Sequence, residues 1–295
     1  MTKEEFGSSP LPFGGELPEP RTLEDSAALI VPVPFEQTTS YVTGTRNGPR
    51  ELLMASSQVE LWDEELGVDV HGRGMITLPD IDLSALPLDV AMCELSKRAA
   101  DLYATGKFVV TLGGEHSITS PIVGAAVARH PTLTVLQIDA HADLRVSYLG
   151  ERHSHACAMR RTLEHAPVVQ VGIRNISAEE AADLPSLRST VFYDWNMRDD
   201  QRWMDRVVDT LSEVVYITID LDGFDPGLVP GVGTPEPGGL SWREATTLLR
   251  KVFERRRVIG CDVVELCPIP GMAASNFIAA KLVYKLLTYK FSIGA

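Results

Sequence analysis

The sequence predicts a single-domain α/β protein of three layers, α/β/α, with a central, mostly parallel sheet of roughly eight strands. Three observations predict it. Short β-branched runs alternate with helical patterns from residue 26 onward. Those runs are apolar on both faces, as strands covered on both sides by helices must be. No internal repeat and no obvious linker follows residue 26. The 295 residues, 44% of them hydrophobic, supply a large core, and parallel α/β folds often reach this length as one domain.

Residues 1–25, with Pro10, Pro12, Pro18 and Pro20, read as an extended N-terminal arm, leaving 26–295 as the catalytic domain. Strands are expected at 27–33, 74–78, 108–112, 133–139, 168–173, 190–193, 214–220 and 258–266. Helices are expected at 49–60, 90–105, 119–130, 155–165, 200–212, 241–256 and 274–290. Pro49 suits a helix start and Ser241 an N-cap.

The formal charge of −13, from 27 Lys+Arg against 40 Asp+Glu, comes without a visible basic patch and argues against a nucleic-acid binder. Acidity serves solubility first and, more weakly, favours cationic ligands. Cys93, Cys157, Cys261 and Cys267 show no C-x-x-C spacing and read as reduced and buried in a cytosolic protein. Lys3, Glu4 and Glu5 stand where a signal peptide would need apolar residues, and no apolar run approaches the roughly 18 residues of a membrane span. A cytoplasmic protein without membrane contact is expected.

Three stretches carry the chemistry. They are Gly113-Gly114-Glu115-His116-Ser117, Gln137-Ile138-Asp139-Ala140-His141-Ala142-Asp143 and Thr218-Ile219-Asp220-Leu221-Asp222-Gly223-Phe224-Asp225-Pro226. In an extended strand, Asp139, His141 and Asp143 would point one way, as would Asp220 and Asp222. A lone D-x-D is an ordinary loop. Three such motifs, each ending an apolar strand, gather four carboxylates and two imidazoles at the end of a sheet where α/β proteins bind ligands. Such a cluster repels itself without cations, and two divalent ions balance its four carboxylates. Oxygen and imidazole ligands without thiolate favour Mn²⁺ or a similar ion over structural Zn²⁺. Two such metals lower the pKa of a shared water from about 16 to roughly 7, which makes hydrolysis the natural reaction class.

These residues resemble the ureohydrolase family, arginase, agmatinase and their relatives, which hydrolyse guanidino groups at a two-manganese centre. The resemblance also covers Gly44-Thr45-Arg46-Asn47-Gly48-Pro49, Ser154-His155-Ala156, Asp262-Val263-Val264-Glu265 and the run from Pro230 to Gly239, and so spans roughly residues 30–290. It implies an arginase-like fold and two Mn²⁺ per subunit. One would be held by His116, Asp139, Asp143 and Asp220, the other by His141, Asp139, Asp220 and Asp222. It further implies that Glu265 receives the substrate guanidinium, that His155 rather than its neighbour His153 passes a proton to the leaving amine, and that Asp222 also orients the nucleophile. A carboxylate does suit the planar N–H fork of a guanidinium. Family members are commonly trimers or hexamers, so a homo-oligomer is expected.

For the substrate tail, Gly233-Thr234-Pro235-Glu236-Pro237-Gly238-Gly239 resembles agmatinases. The loop from Leu144 to Glu151 lacks the Asn- and Thr-rich arginase pattern, although Arg145 could meet a carboxylate, and Asn175 stands where arginases usually have an acidic residue. Glu115 replaces a frequent Asp, Thr218 a frequent Ser, and Val146 a frequent acidic residue, so Glu151 and Glu236 are both candidates to accept the substrate ammonium. Agmatine, giving urea and putrescine, is the leading substrate. N1-aminopropylagmatine, arginine and guanidinobutyrate are the alternatives, and a silent polyamine-binding homologue is the non-enzymatic one. His71, His130 and His165 read as solvent-facing, Trp62, Trp195, Trp203 and Trp242 as core or interface, and Cys157 as a small buried hydrophobe.

Overall fold

Strands that are largely apolar on both faces have to be buried on both, and they are, except for the edge run Ser189–Tyr193, which is part-buried with Thr190 exposed. The structure, a computed structural model, describes residues 7–15 and 21–294. Eight strands form one sheet: β1 (Ala28–Val33), β2 (Met75–Thr77), β3 (Phe108–Gly113), β4 (Thr134–Ile138), β5 (Val168–Ile173), β6 (Ser189–Tyr193), β7 (Val214–Asp220) and β8 (Arg257–Val264). Their order is β2-β1-β3-β8-β7-β4-β5-β6, and every neighbouring pair is parallel. The helices are α1 (Gly48–Ser56), α2 (Leu88–Ala104), α3 (Thr119–Val127), α4 (Ala158–Thr162), α5 (Ala178–Asp183), α6 (Asp194–Met197), α7 (Trp203–Thr210), α8 (Trp242–Arg255) and α9 (Ala274–Ser292). Ser241 caps α8 through a reciprocal bond pair with Glu244, as expected. The sequence pattern missed α5, although its Ser177–Glu180 capping box was there to be seen, and the single-turn α6.

The alternation along β1 sorts the two cores. Ala28 and Ile30 belong to the core that contains Leu52 of α1, Val207 of α7, Leu248 of α8 and Ala279 of α9, while Leu29 and Val31 belong to the core that contains Met92 of α2, Ile122 of α3 and Met159 of α4. Helices therefore cover both faces, and β3, β8, β7 and β4 occupy the middle of the sheet. Each of the three acidic or histidine motifs, and Glu265, follows the carboxyl end of one of these four.

Some expectations change. Cys93 is exposed while the other three cysteines are buried. Trp62 and Trp195 are exposed rather than core, and Trp203 is buried. Of the N-terminal arm, residues 7–15 lie on the body of the chain: Ser9 N donates to the Thr77 carbonyl at 2.7 Å, and Phe13 is buried with its N–H on Thr77 Oγ1 at 2.8 Å. Residues 21–25 are also described, and 1–6 and 16–20 of the arm lie outside the described residues. No described helix is long and apolar enough to cross a membrane.

One buried ion cluster ties α9 to the loop before β2. Lys285 Nζ, with its side chain 2% exposed, sits 2.8 Å from both Asp63 Oδ2 and Glu65 Oε2, and the Tyr289 hydroxyl donates to Glu65 Oε2 at 2.7 Å. Removing one partner of a buried pair strands the other charge. Lys285→Ala is therefore expected to cost about 3–5 kcal/mol, read as a lower urea midpoint at unchanged slope; an unchanged midpoint would refute the cluster's role. Burial opposes the charge on Glu65, but Lys285, Tyr289 and Arg250 hold its carboxyl down at about 2 against an ordinary 4.5. A depressed acid stabilises the fold fully above its unfolded pKa, so this contribution should disappear between pH 4.5 and about 2.

Candidate metal centre

The site is built where the four central strands end. β3 runs into Gly114, where a Cβ would lie 2.0 Å from the Phe35 carbonyl oxygen, so only glycine lets the chain pass and turn His116 inward. Glu265 follows β8 at φ 64°, and its backbone N–H bonds the Gly114 carbonyl at 2.8 Å, which locks the two strand ends together. Asp220 is the last residue of β7, and its Oδ1 accepts the N–H of Asp222 at 2.9 Å inside a single 3₁₀ turn.

The regular strand expected to carry Asp139, His141 and Asp143 ends before them, although His141 still makes an isolated parallel bridge with Asn175. β4 stops at Ile138, and the three converge from a loop in which Asp143 adopts φ 54°. Asp222 likewise faces the site from its 3₁₀ turn. The convergence is real, but loop geometry produces it. Asp143 and Glu265 are two of the three non-glycine residues at positive φ among those described, a conformation costing about 1–3 kcal/mol that persists at sites which use it.

The expected residues come together. His116 Nδ1 faces Asp139 Oδ2 at 3.1 Å, Asp143 Oδ2 at 3.2 Å and Asp220 Oδ2 at 3.3 Å, while His141 Nδ1 lies 2.9 Å from Asp222 Oδ2 and 3.7 Å from Asp139 Oδ1. Two groups of potential ligand atoms result, His116–Asp139–Asp220 and Asp139–His141–Asp222, sharing Asp139. The tautomer of His116 follows from its neighbours. Thr218 Oγ1 spends its one proton on Asp262 Oδ1 at 2.5 Å, so the bond at 2.9 Å between Thr218 Oγ1 and His116 Nε2 must be donated by the imidazole. That directs the Nδ1 lone pair at the carboxylates, where Nδ1 is buried without a well-formed hydrogen bond.

Protons compensate for this crowding when nothing else does. Burial works against charge on both imidazoles, yet the carboxylates hold His116 well above its ordinary pKa and His141 at about 12. Burial and the charge of Asp139 push Asp143 up to about 7; burial with Asp222 and Asp139 holds Asp220 well above the ordinary carboxylate value; burial and Asp139 raise Asp222. Asp139, though buried, is held low by His116 and His141. A donor set of oxygen and imidazole, an orphaned ring nitrogen aimed at three carboxylates, and retained protons all fit divalent cations.

Above these residues opens a cavity of about 220 Å³ that also bears His155, Glu236, Glu265, Arg145, Tyr148 and Asn175. Asp139 alone of the expected residues lies beneath it, fully buried. His153, Val146 and Glu151 do not line it: Val146 is exposed and Glu151 accepts the His153 N–H. Of the two acidic candidates for the substrate tail, Glu236 is the one at the cavity. It accepts from Asn175 Nδ2 at 2.5 Å and lies 3.8 Å from His141 Nε2. The Arg145 guanidinium stacks 5.2 Å from the Tyr148 ring centroid, within the cavity lining rather than away from it.

Several residues that hold the site went unnoticed in the sequence. Thr38 donates to Glu115 Oε1 at 2.8 Å and sits 3.2 Å from His155 Nδ1, so the imidazole donates from Nδ1 and turns Nε2 toward Ser40 and the cavity. Burial and the nearby histidines lower His155 to about 4, leaving it neutral. Buried Gln137 donates to Asp139 Oδ2 at 2.6 Å and is held in turn by Gln170. Arg174 clasps the carbonyls of Asp222, Phe224, Glu236 and Pro237, fastening both loops of the site. Glutamines and a threonine inside otherwise apolar strands were the available signal. Thr38 and Arg174 offered none.

The comparisons with known proteins agree with this geometry. A family model described as the arginase family matches residues 26–288. The N(1)-aminopropylagmatine ureohydrolase of Synechocystis sp. is 44% identical over 273 residues, covering 90% of this chain and 89% of that protein. The protein of the same name from Thermus thermophilus is 34% identical, covering 90% and 91%. Among solved structures, the agmatine ureohydrolase of Thermoplasma volcanium superposes with a TM-score of 0.83 at 28% identity, covering 92% of each chain. The fold is arginase-like, and the family depends on a binuclear metal centre. The chain belongs to the arginase family and is a ureohydrolase, a hydrolase of guanidino compounds.

Proposed function

We propose that the protein releases urea from N1-aminopropylagmatine, the substrate that sequence reasoning set second to agmatine. The observation that carries this reading is the activity for which the relatives at 44% and 34% identity over nine-tenths of the chain are named. Agmatine is the second reading, favoured by the Thermoplasma volcanium structure. Both substrates are cations with an extended amine tail, which suits an acidic protein and a cavity bearing Glu236.

Two Mn²⁺ ions suit the donor set, one held by His116, Asp139, Asp143 and Asp220, the other by His141, Asp139, Asp220 and Asp222. When bound they acidify water at the site, so that a nucleophile forms near neutral pH. The remaining steps belong to side chains. Glu265 Oε1 is engaged by the His116 backbone N–H at 2.7 Å, so Oε2 is the atom offered to the guanidinium. Asp222 Oδ1 accepts the Ala140 N–H at 3.0 Å, which fixes the carboxylate that orients the attacking water. Attack makes the guanidino carbon tetrahedral. Neutral His155 takes the proton shed by the attacking water onto its bare Nε2 and hands it to the departing nitrogen, and collapse releases urea and the amine. Glu236, steadied by Asn175, receives the tail ammonium. We further propose that the active form is a homo-oligomer, a trimer or hexamer, and works in the cytoplasm.

The deciding experiment is a side-by-side assay of urea release by the Mn²⁺-loaded protein with N1-aminopropylagmatine, agmatine, arginine, 4-guanidinobutyrate and guanidine. Preference for the first supports the proposal, preference for agmatine supports the second reading, and urea from none of them would sink both. His155→Asn should lower kcat about 10²–10⁴-fold with metal content intact; unchanged turnover would remove His155 from the proton path. Asp139→Asn should lose metal occupancy and activity together, and Thr218→Val should weaken metal binding by about 10–100-fold by releasing the His116 ring. Metal affinity should also fall as pH drops. Asp143 holds a proton below about 7 in the metal-free protein, so binding must displace it, and Mn²⁺ titrations at pH 6 and pH 8 should differ in that direction.

A further inference from the structure

One buried carboxylate beside the metal centre has no part in the steps above. Glu115 is fully buried, directly precedes His116, and is not among the residues that line the catalytic cavity. Its Oε2 accepts the backbone N–H groups of Gln37 and Thr38 at 2.7 and 2.6 Å. Its Oε1 accepts the hydroxyls of Thr38 and Ser117 at 2.8 and 2.6 Å. β1 and β3 are hydrogen-bonded neighbours, so the loops that leave their carboxyl ends meet here.

The Thr38 hydroxyl joins this carboxylate to His155. A hydroxyl has one proton to give and two lone pairs to offer. The proton goes to Glu115 Oε1, and the lone pairs meet the His155 backbone N–H at 2.9 Å and its ring Nδ1 at 3.2 Å. All three positions are taken. An oxygen with no proton left cannot serve a bare nitrogen, so Nδ1 carries the ring proton and Nε2 is bare. Among the described residues the other polar neighbour of Nδ1 is the Ser154 hydroxyl, at a longer 3.4 Å.

We propose that Glu115 and Thr38 are positioning residues for urea release. The carboxylate fixes the direction of the Thr38 proton, and the hydroxyl then holds His155 in the one tautomer whose Nε2 can take up a proton. Left to itself, the imidazole could place its proton on Nε2 and lose that capacity. The same chain supports the ring once Nε2 is protonated, because a hydrogen bond donated by a cation is stronger than one from a neutral group. It is the part that a directly bonded carboxylate plays towards histidine in serine hydrolases, here passed through a hydroxyl. The proposal rests on His155 being the proton carrier of the preceding subsection.

The test is a double-mutant cycle on urea release by the Mn²⁺-loaded protein, with KM and bound metal measured for every variant. Thr38→Val, which keeps the side-chain shape, should lower kcat about 10- to 100-fold at unchanged KM and metal content. Thr38→Ser keeps the hydroxyl and should restore turnover. Glu115→Asp draws the carboxylate back by about 1.5 Å and should lower kcat in the same way, with no further loss when combined with Thr38→Val. In the His155→Asn background Thr38→Val should cost nothing more, because no ring is left to orient. Equal losses in both backgrounds, metal lost together with activity, or no rescue by serine would mark a merely structural role and overturn the proposal. A large loss in His155→Asn beside undiminished turnover in Thr38→Val would overturn it alone. Full turnover in His155→Asn would overturn the proton-carrier reading and this proposal with it.

Discussion

Four aspartates and two histidines share one end of the central strands, buried where water cannot screen them. At an effective dielectric of 20, two like charges 4 Å apart repel by about 4 kcal/mol. Several such pairs cannot all stay ionised in an otherwise bare pocket. The surrounding structure answers to this constraint. Without cations, His116 and His141 retain protons that raise their affinity for the carboxylates, and Asp220 and Asp143 retain theirs. Divalent ions would replace those protons, and the scaffold is arranged to hold the ligands in place while the exchange occurs.

That scaffold consists of polar side chains buried in strands that are otherwise apolar. In β7, Tyr216 and Thr218 lie on the face that also bears Asp220. Asp262 of β8 collects the hydroxyls of Tyr216, Thr218 and Thr119 at 2.5–3.0 Å, and Thr218 in turn fixes the His116 ring. On the other side, Ser189 of β6 bonds Gln170 of β5, which bonds Gln137 of β4, which bonds Asp139. Each link satisfies a group that would otherwise be buried unpaired, and each removes a rotational freedom from a ligand. Buried polar chains of this kind are costly if broken in the middle, so they bind the stability of the sheet to the geometry of the site.

The strands were legible in the sequence because parallel strands covered on both faces are largely apolar on both, and few other elements of six or seven residues are. The candidate ligand residues stood out because charges at the ends of such runs are conspicuous. What misled was the extension of strand periodicity past Ile138: the regular strand ends there, an isolated parallel bridge from His141 to Asn175 follows, and the turn at Asp143 with positive φ does what alternation was expected to do. Thr38 and His155 are 117 positions apart, and Arg174 reaches carbonyls 48 to 63 positions away. No local pattern encodes pairings of that range. The burial expected of Cys93 failed for another reason, since residue type reports average burial and not the particular face a helix presents.

A parallel sheet also gives its two ends opposite electrical character. Every helix that returns along it delivers a positive amino end to the carboxyl edge of the strands and a negative carboxyl end to the other edge. At the carboxyl edge, α3 begins three residues after His116 and α4 three residues after His155, which adds a field that favours carboxylates beneath the cavity. At the amino edge the same topology favours cations, and Lys107, Arg129, Arg257 and Lys290 gather there in a chain that is acidic overall. Aspartates at one rim and bases at the other therefore follow from a single cause, the handed, unidirectional winding of strand and helix.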